Sequence, residues 1–329
     1  MRVKSCLWFA IVTVLHVWLG STSAFALSCT ASIGDIVFNP IDLTAGTVFD
    51  TSASVSITCA GDANRTARVC PNIGNGDGGV APGGTARYAV NAGNQLRYGL
   101  YQNASRTSIW GSSQWAYAGT YGPPPVDIAL DGAGNGSANR TLYGRVFTGQ
   151  SALPAGATST TYVSNFTAAD VKISSDYTDT NPTCGSIGIT NETNTSFSVS
   201  ATYPATCTVT GNSLNFGDIR SLASNIDKQT SIFTRCSADT PYSVGLGDGL
   251  AGTGDPTARR MQLGADRLTY GLFQNSSRST AWGNTIGVDV VGGTGTGTSS
   301  ALQVYGRVPN QTFPPVGTYT DVIVVTLNY

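Results

Sequence analysis

The sequence is poor in the side chains that acid–base chemistry draws on. Only 11% of its 329 residues are charged, the one histidine is His16, and Glu192 is the one glutamate. Proton transfer by a positioned side chain relies mostly on His, Glu, Asp, Lys and Cys, so catalysis would rest on aspartates and the chain is not expected to be an enzyme. Helix formers are scarce too: methionine occurs twice, while 40 glycines and 14 prolines punctuate short runs of Val, Ile, Thr and Tyr. That balance favours many strands joined by turns. After Leu19 no apolar run is long enough to span a bilayer. Basic residues do not outnumber acidic ones, which removes the footprint that nucleic-acid binding needs.

What is present begins with a leader. Arg2 and Lys4 precede an apolar run of 13 residues from Leu7 to Leu19, and Ala24-Phe25-Ala26 supplies an A-x-A site. Residues 1–26 are therefore expected to be a secretory signal peptide. Its removal leaves 16 of the 18 basic residues against 19 acidic ones, a net charge near −3. Six of the seven cysteines remain: Cys29, Cys59, Cys70, Cys184, Cys207 and Cys236. An even count in an exported chain reads as disulfides. Metal ligation is the alternative, but no CxxC occurs and the mature chain has no histidine. Asp248 and Asp255 in LGDGLAGTGD offer oxygen donors of the kind calcium takes, yet the glycine-rich text is that of a turn. No metal or cofactor is expected.

The mature chain is a duplication. LRYGLYQNASRTSIWG at 96–111 returns as LTYGLFQNSSRSTAWG at 268–283, LYGRV at 142–146 as VYGRV at 304–308, and GTARY at 84–88 as PTARR at 256–260. Cys29 and Cys59 stand 30 apart and Cys207 and Cys236 stand 29 apart at matching places, so each copy should carry its own clip. Cys70 and Cys184 have no counterpart in the second copy and would tie the first copy to the segment behind it. Trp110 and Trp282 recur and read as framework. Two insertions of ten residues separate the copies, one between Trp110 and Tyr143 and one between Tyr143 and Tyr177.

The closing DVIVVTLNY alternates, placing Ile323, Val325, Leu327 and Tyr329 on one face of a strand with nothing behind it to pair with its open side. SFSVSATY at 196–203 alternates in the same way, just ahead of the first cysteine of the second copy. Only Leu27 and Ser28 precede Cys29 in the mature first copy, so that copy has no such segment of its own in front. A sandwich missing one strand leaves a groove and unpaired edges that another chain must cover.

The Cys-x-V or Cys-x-A start, the L-x-F-G-D-I element, the L-x-Y-x-L-[YF]-Q-[ND] strand, the Y-G-R-V element and the closing P-x-G-T-Y-x-D strand together resemble the spore coat protein U domain family. The resemblance covers nearly all of the mature chain and is strongest from Cys207 to Tyr329. It implies an all-β fold of two tandem immunoglobulin-like, pilin-type sandwiches, the second incomplete and completed by a donor strand. It also implies the role of a tip adhesin of an archaic chaperone-usher pilus, exported through the periplasm to the cell surface and serving attachment and biofilm formation. The partners would be a periplasmic pilus chaperone, an outer-membrane usher, the adjacent pilin subunit and an abiotic or host surface. On this reading residues 27–185 form the adhesin domain, 186–203 a linker and candidate donor strand, and 204–329 the pilin domain. Residues 196–203, or those at 186–192, would complete the first domain in cis.

The first insertion, SSQWAYAGTYGPPPVD at 112–127, brings Trp115, Tyr117, Tyr121 and the run Pro123, Pro124, Pro125. A stiff proline run holds a loop extended, and aromatic rings bury much apolar area at low entropy cost, so the loop suits a contact finger. Folding back as a minicore is the alternative. The second insertion, about 151–168, adds Tyr162 and Phe166, and the loop 41–51 adds Val48 and Phe49, all candidate surface contacts. Two other classes stay open: a lectin, because Trp and Tyr faces also stack on sugars, and a coat or matrix protein that only packs.

Overall fold

Short runs of three to twelve residues, many alternating apolar with polar and broken by Gly, Pro and Asn turns, give strands and almost nothing else. The computed structural model describes residues 26–114, 122–181, 183–187 and 192–329. Among these the first copy supplies β1 (Ser28–Ile33), β2 (Ile36–Phe38), β3 (Phe49–Ala60), β4 (Thr66–Ile73), β5 (Arg87–Asn91) and β6 (Asn94–Tyr101). It continues with β7 (Val126–Ala129), β8 (Asn135–Val146), β9 (Ser159–Phe166), β10 (Val171–Tyr177), β11 (Glu192–Asn194) and β12 (Phe197–Pro204). The second copy supplies β13 (Cys207–Gly211), β14 (Ile226–Cys236), β15 (Pro241–Leu246), β16 (Arg259–Leu263), β17 (Asp266–Phe273), β18 (Val291–Thr294), β19 (Ser299–Val308) and β20 (Val325–Asn328). One 3-10 turn, Leu43–Ala45, is capped by the Asp42 carboxylate, which accepts from Thr44 N.

Each copy is a sandwich of two sheets. In the first, an eight-stranded sheet in the order β1-β3-β8-β6-β5-β9-β12-β2 faces a four-stranded sheet β11-β10-β4-β7. In the second, β13-β14-β19-β17-β16 faces β18-β15-β20. The segment between the copies belongs to the first: β12 runs antiparallel to β9 and parallel to β2, and it buries Phe197, Val199, Ala201 and Tyr203 in the first core. Full burial of each large apolar side chain is worth roughly 1.5–3 kcal/mol, and Phe197 also stacks on Phe166 with ring centroids 4.4 Å apart. The three disulfides join Cys29 to Cys59, Cys70 to Cys184 and Cys207 to Cys236.

The repeated motifs are the joints of the two sandwiches. Arg87 and Arg259 are fully buried. Arg87 donates to the carbonyls of Ile73, Gly74 and Trp110, and Arg259 to those of Leu246, Gly247, Pro256 and Trp282, so each guanidinium ties together backbone oxygens of separate segments. The indole N–H of Trp110 donates to Pro71 O and that of Trp282 to Val244 O. In the QN-x-SR turns, Arg106 and Arg278 sit at positive φ, 55° and 56°, where Asn103 and Asn275 accept two backbone amides each. The glycine of Y-G-R-V is required by close approach: a Cβ on Gly144 would lie 2.8 Å from the Phe38 ring, and one on Gly306 would strike Leu214 and Phe216.

Candidate functional site

The second copy lacks a strand that the first copy has. Ile36–Phe38 is a strand because β12 lies beside it, with Val199 opposite Ile36 and Ala201 opposite Phe38. The matching residues are Leu214, Asn215 and Phe216, since Leu214 and Phe216 crowd Gly306 as Ile36 and Phe38 crowd Gly144. No strand forms anywhere in 212–225, nor in 309–319, which occupies the place of β9 between β19 and β20. The two rails meet at one end, where Gln311 N donates to Leu222 O at 3.3 Å; along the rest, among the described residues, no strand runs between them to take their hydrogen bonds.

Between these rails lies a groove of about 750 Å³, lined by Leu214, Phe216, Ile219, Leu268, Pro314 and Tyr319 among others. Its apolar margin is uncovered: Phe313 and Val316 are exposed, Val316 to 94%. The open lane continues onto the facing sheet. β10 is flanked by β4 and β11, whereas β20 pairs with β15 alone among the described residues and leaves Val322 and Val324 exposed. Ile323, Val325 and Leu327 pack on the second core as the alternation anticipates, but Tyr329 is exposed. Beneath the groove Phe216 meets Tyr270 edge-on at 6.2 Å. The Tyr270 hydroxyl donates to Asp321 Oδ2 at 2.6 Å, and burial pushes its pKa well above the usual phenol range, so it stays a donor. Such a lane takes an extended chain, with main-chain hydrogen bonds to the rails and every second side chain set into the groove.

The structure describes the inserted loops only in part. Trp115, Tyr117 and Tyr121 lie outside the described residues. Of the proline run, Pro123 is buried, Pro124 half-buried and Pro125 exposed. The base of this loop is pinned by a buried polar cluster on the outer side of β4 and β10. Asn72 Oδ1 accepts from Ser113 N at 2.8 Å, Asn72 Nδ2 donates to Ser174 Oγ, and Gln114 Nε2 donates to Ser174 Oγ and to the Glu192 carboxylate. Lys172 lies 3.4 Å from Glu192. The only glutamate of the chain is thus an anchor, a role its isolation in the sequence does not reveal.

Two expected contact residues are core. Tyr162 and Phe166 are 0% and 1% exposed, because the second insertion forms β9 and its alternating face points inward against β12; burial pushes the Tyr162 hydroxyl up to about 12. Val48 is exposed, but Phe49 opens β3 opposite Val146 and packs on the first core. Their loop is tied to β12 by Ile41 N donating to Thr202 O, two residues from the connection to the second copy. Among the described residues the candidate contacts are therefore not gathered into one patch. Asp248 and Asp321 serve turns, accepting from Gly254 N and Leu250 N. Leu214, Phe216 and Ile219 are the site residues that motif reading quotes without assigning.

The profile of the Spore Coat Protein U domain matches residues 17–168 and 193–326, that is, both sandwiches. The chain belongs to the Spore Coat Protein U domain family. Protein U of Myxococcus xanthus is 34% identical over 131 residues, covering 36% of this chain and 73% of that protein. Among solved structures, the CsuC–CsuE chaperone–tip adhesion subunit pre-assembly complex from the archaic chaperone-usher Csu pili of Acinetobacter baumannii matches with TM-score 0.50 at 16% identity. The match covers 91% of this chain and 100% of the compared one. The CupB6 tip adhesin of Pseudomonas aeruginosa matches with TM-score 0.39 at 15% identity, over 92% and 94% of the two chains. At 16% identity and TM-score 0.50 the Csu likeness speaks to the all-β fold alone.

Proposed function

We propose that this chain is the terminal, adhesive subunit of a chaperone-usher fibre. Its second sandwich would dock to the fibre by accepting a donor strand, and its first would face the target. One observation carries the reading: the lane filled by β12 in the first sandwich is an open groove in the second. The segment in front of the second sandwich, where a single-domain subunit would keep the strand it donates, is bound inside the first sandwich. It is not free to pass to a neighbour, so the first sandwich ends the fibre. A pilus chaperone would hold the groove until an usher exchanges it for the next subunit, and the aromatic insertion with Trp115, Tyr117 and Tyr121 would meet a surface.

The test is strand capture by the full mature chain. A peptide of residues 192–204, the segment that fills the matching lane of the first sandwich, is titrated while amide exchange is followed at 212–219 and 311–319. Slowed exchange confined to these rails is expected. If this peptide does not protect them, the docking role is wrong.

A further inference from the structure

A second depression, of about 340 Å³, lies on the first sandwich, lined by Tyr88, Gln95, Arg97, Gln150, Ala152 and Leu153. Tyr88 and Arg97 stand directly opposite each other on β5 and β6, and Gln95 follows two residues along on the same face. The second copy is an internal control for this place. There the same register sets Arg260 opposite Thr269 and Gln262 opposite Arg267. The floor is shared by both copies: Gln150 Oε1 accepts from Arg97 N and its Nε2 donates to Arg97 O, while Gln311 makes the same pair with Thr269. The framework is therefore duplicated, whereas the side chains above it and the wall beside it belong to the first copy alone.

That wall is braced. It is the start of the second insertion, and its far side docks on the second sandwich. Pro154 bridges Ala238, Ala155 N donates to Ala238 O at 2.9 Å, and Thr240 Oγ1 donates to Gly156 O at 3.1 Å. Gly297 sits against Ser151 so closely that a Cβ there would fall on the Ser151 carbonyl oxygen. A wall fixed from behind keeps its shape when a ligand arrives, and a preorganised site does not spend binding energy on ordering a loop.

We infer that this depression binds a sugar bearing a carboxylate. Among the described residues no carboxylate pairs with the Arg97 guanidinium, which is exposed and whose planar fork matches a carboxylate in bidentate fashion. Tyr88 is half-buried and presents an amphipathic ring, Leu153 gives an apolar edge, and Gln95 can both donate and accept toward hydroxyls. The volume lies at the small end of ligand sites, where one or two rings fit. The inference rests on the reading that the first sandwich meets the target. Its failure is separable from that of fibre docking, because groove and depression lie in different copies.

The test uses the full mature chain labelled with nitrogen-15, titrated with methyl β-glucuronide, methyl α-galacturonide and the methyl glycoside of N-acetylneuraminic acid, beside methyl β-glucoside. At least one acidic sugar is expected to shift the amides of Tyr88, Gln95 and Arg97 saturably, with the neutral glucoside far weaker. Arg97→Gln removes a charged bidentate contact and should weaken binding about 10- to 100-fold. Gly297→Ala should weaken it too by lifting the brace. Gly254→Ala, at a similar positive φ of 78° with open space around it, should not. Shifts that survive Arg97→Gln, equal binding of the glucoside, or silence from all three acidic sugars would each overturn the inference. Protection of the rails at 212–219 by the strand peptide, measured on the same sample, would show that docking is intact.

Discussion

Phe38 and Phe216 occupy the same place in the two sandwiches, one under a strand and one beside an open lane. Phe38 is 3% exposed, pairs through its backbone with Ala201 and rests against Gly144. Phe38→Ala removes a fully enclosed ring and should cost about 3–5 kcal/mol, the range for a buried aromatic truncated to alanine. Phe216 touches Gly306 and Tyr270 but is only half-buried. Phe216→Ala should cost about 1 kcal/mol in the free chain, half of the roughly 1.5–3 kcal/mol that full burial of such a side chain is worth. Once a donor strand fills the lane, Phe216 becomes as enclosed as Phe38 and the missing 2–4 kcal/mol should be lost from strand binding, roughly a 30- to 700-fold weakening. Urea unfolding monitored by amide exchange separates the sandwiches, β3 and β8 reporting the first and β14 and β19 the second. Equal costs for the two substitutions in the free chain, or strand affinity that ignores Phe216→Ala, would refute the account of a filled and an empty lane.

Replacing the buried clasp by Arg259→Met should cost at least about 2–4 kcal/mol in the second sandwich, because its carbonyl acceptors are left unmet at about 1–3 kcal/mol each before relaxation; Arg87→Met should do the same in the first, both read by urea unfolding. Hydrogen bonds from Arg145 and Arg307 hold the Asp50 and Asp227 carboxyls below their ordinary range. A depressed folded pKa contributes stability that is present above the unfolded value of about 3.9 and is lost as pH falls through the folded one. Thermal stability should therefore drop below about pH 4, and less steeply in Asp50→Asn with Asp227→Asn. Cys70→Ser with Cys184→Ser opens a closure spanning 114 residues and should lower the stability of the first sandwich by about 2–4 kcal/mol by denaturant titration, with the second unchanged. Trp115→Ser, Tyr117→Ser and Tyr121→Ser together should leave both unfolding transitions in place and reduce adhesion to a hydrophobic surface; unchanged adhesion would assign those rings to packing.

The features that were legible from the chain are those in which a residue and its neighbours in sequence carry the whole signal. LRYGLYQN and LTYGLFQN announce the duplication because the turn they form needs the asparagine cap and the arginine behind it in both copies. SFSVSATY reads as a strand because its alternation is complete before it meets a partner. Arg87 and Arg259 were hidden for the opposite reason: arginine is a surface residue by habit, and their burial follows from carbonyls contributed by segments up to 23 residues away. Tyr162 and Phe166 were misplaced because a stretch rich in Ser, Thr and Gly reads as loop, although Tyr162, Ser164 and Phe166 share one face of STTYVSNF and all three are buried.

The rails show the limit most clearly. Ile36-Val37-Phe38 and Leu214-Asn215-Phe216 put matching apolar side chains against matching glycines, yet only the first is a strand. Residues 159–166 and the stretch 309–319 hold the same place in topology, and again only the copy beside β12 forms a strand. Pro314 and Pro315 remove two backbone donors from the second rail, so an incoming strand must find most of its hydrogen bonds along 212–219. Secondary structure at these positions is therefore a property of occupancy. A strand delivered to the groove should convert 214–216 from irregular chain to strand without any change in its residues, and this conversion would register docking.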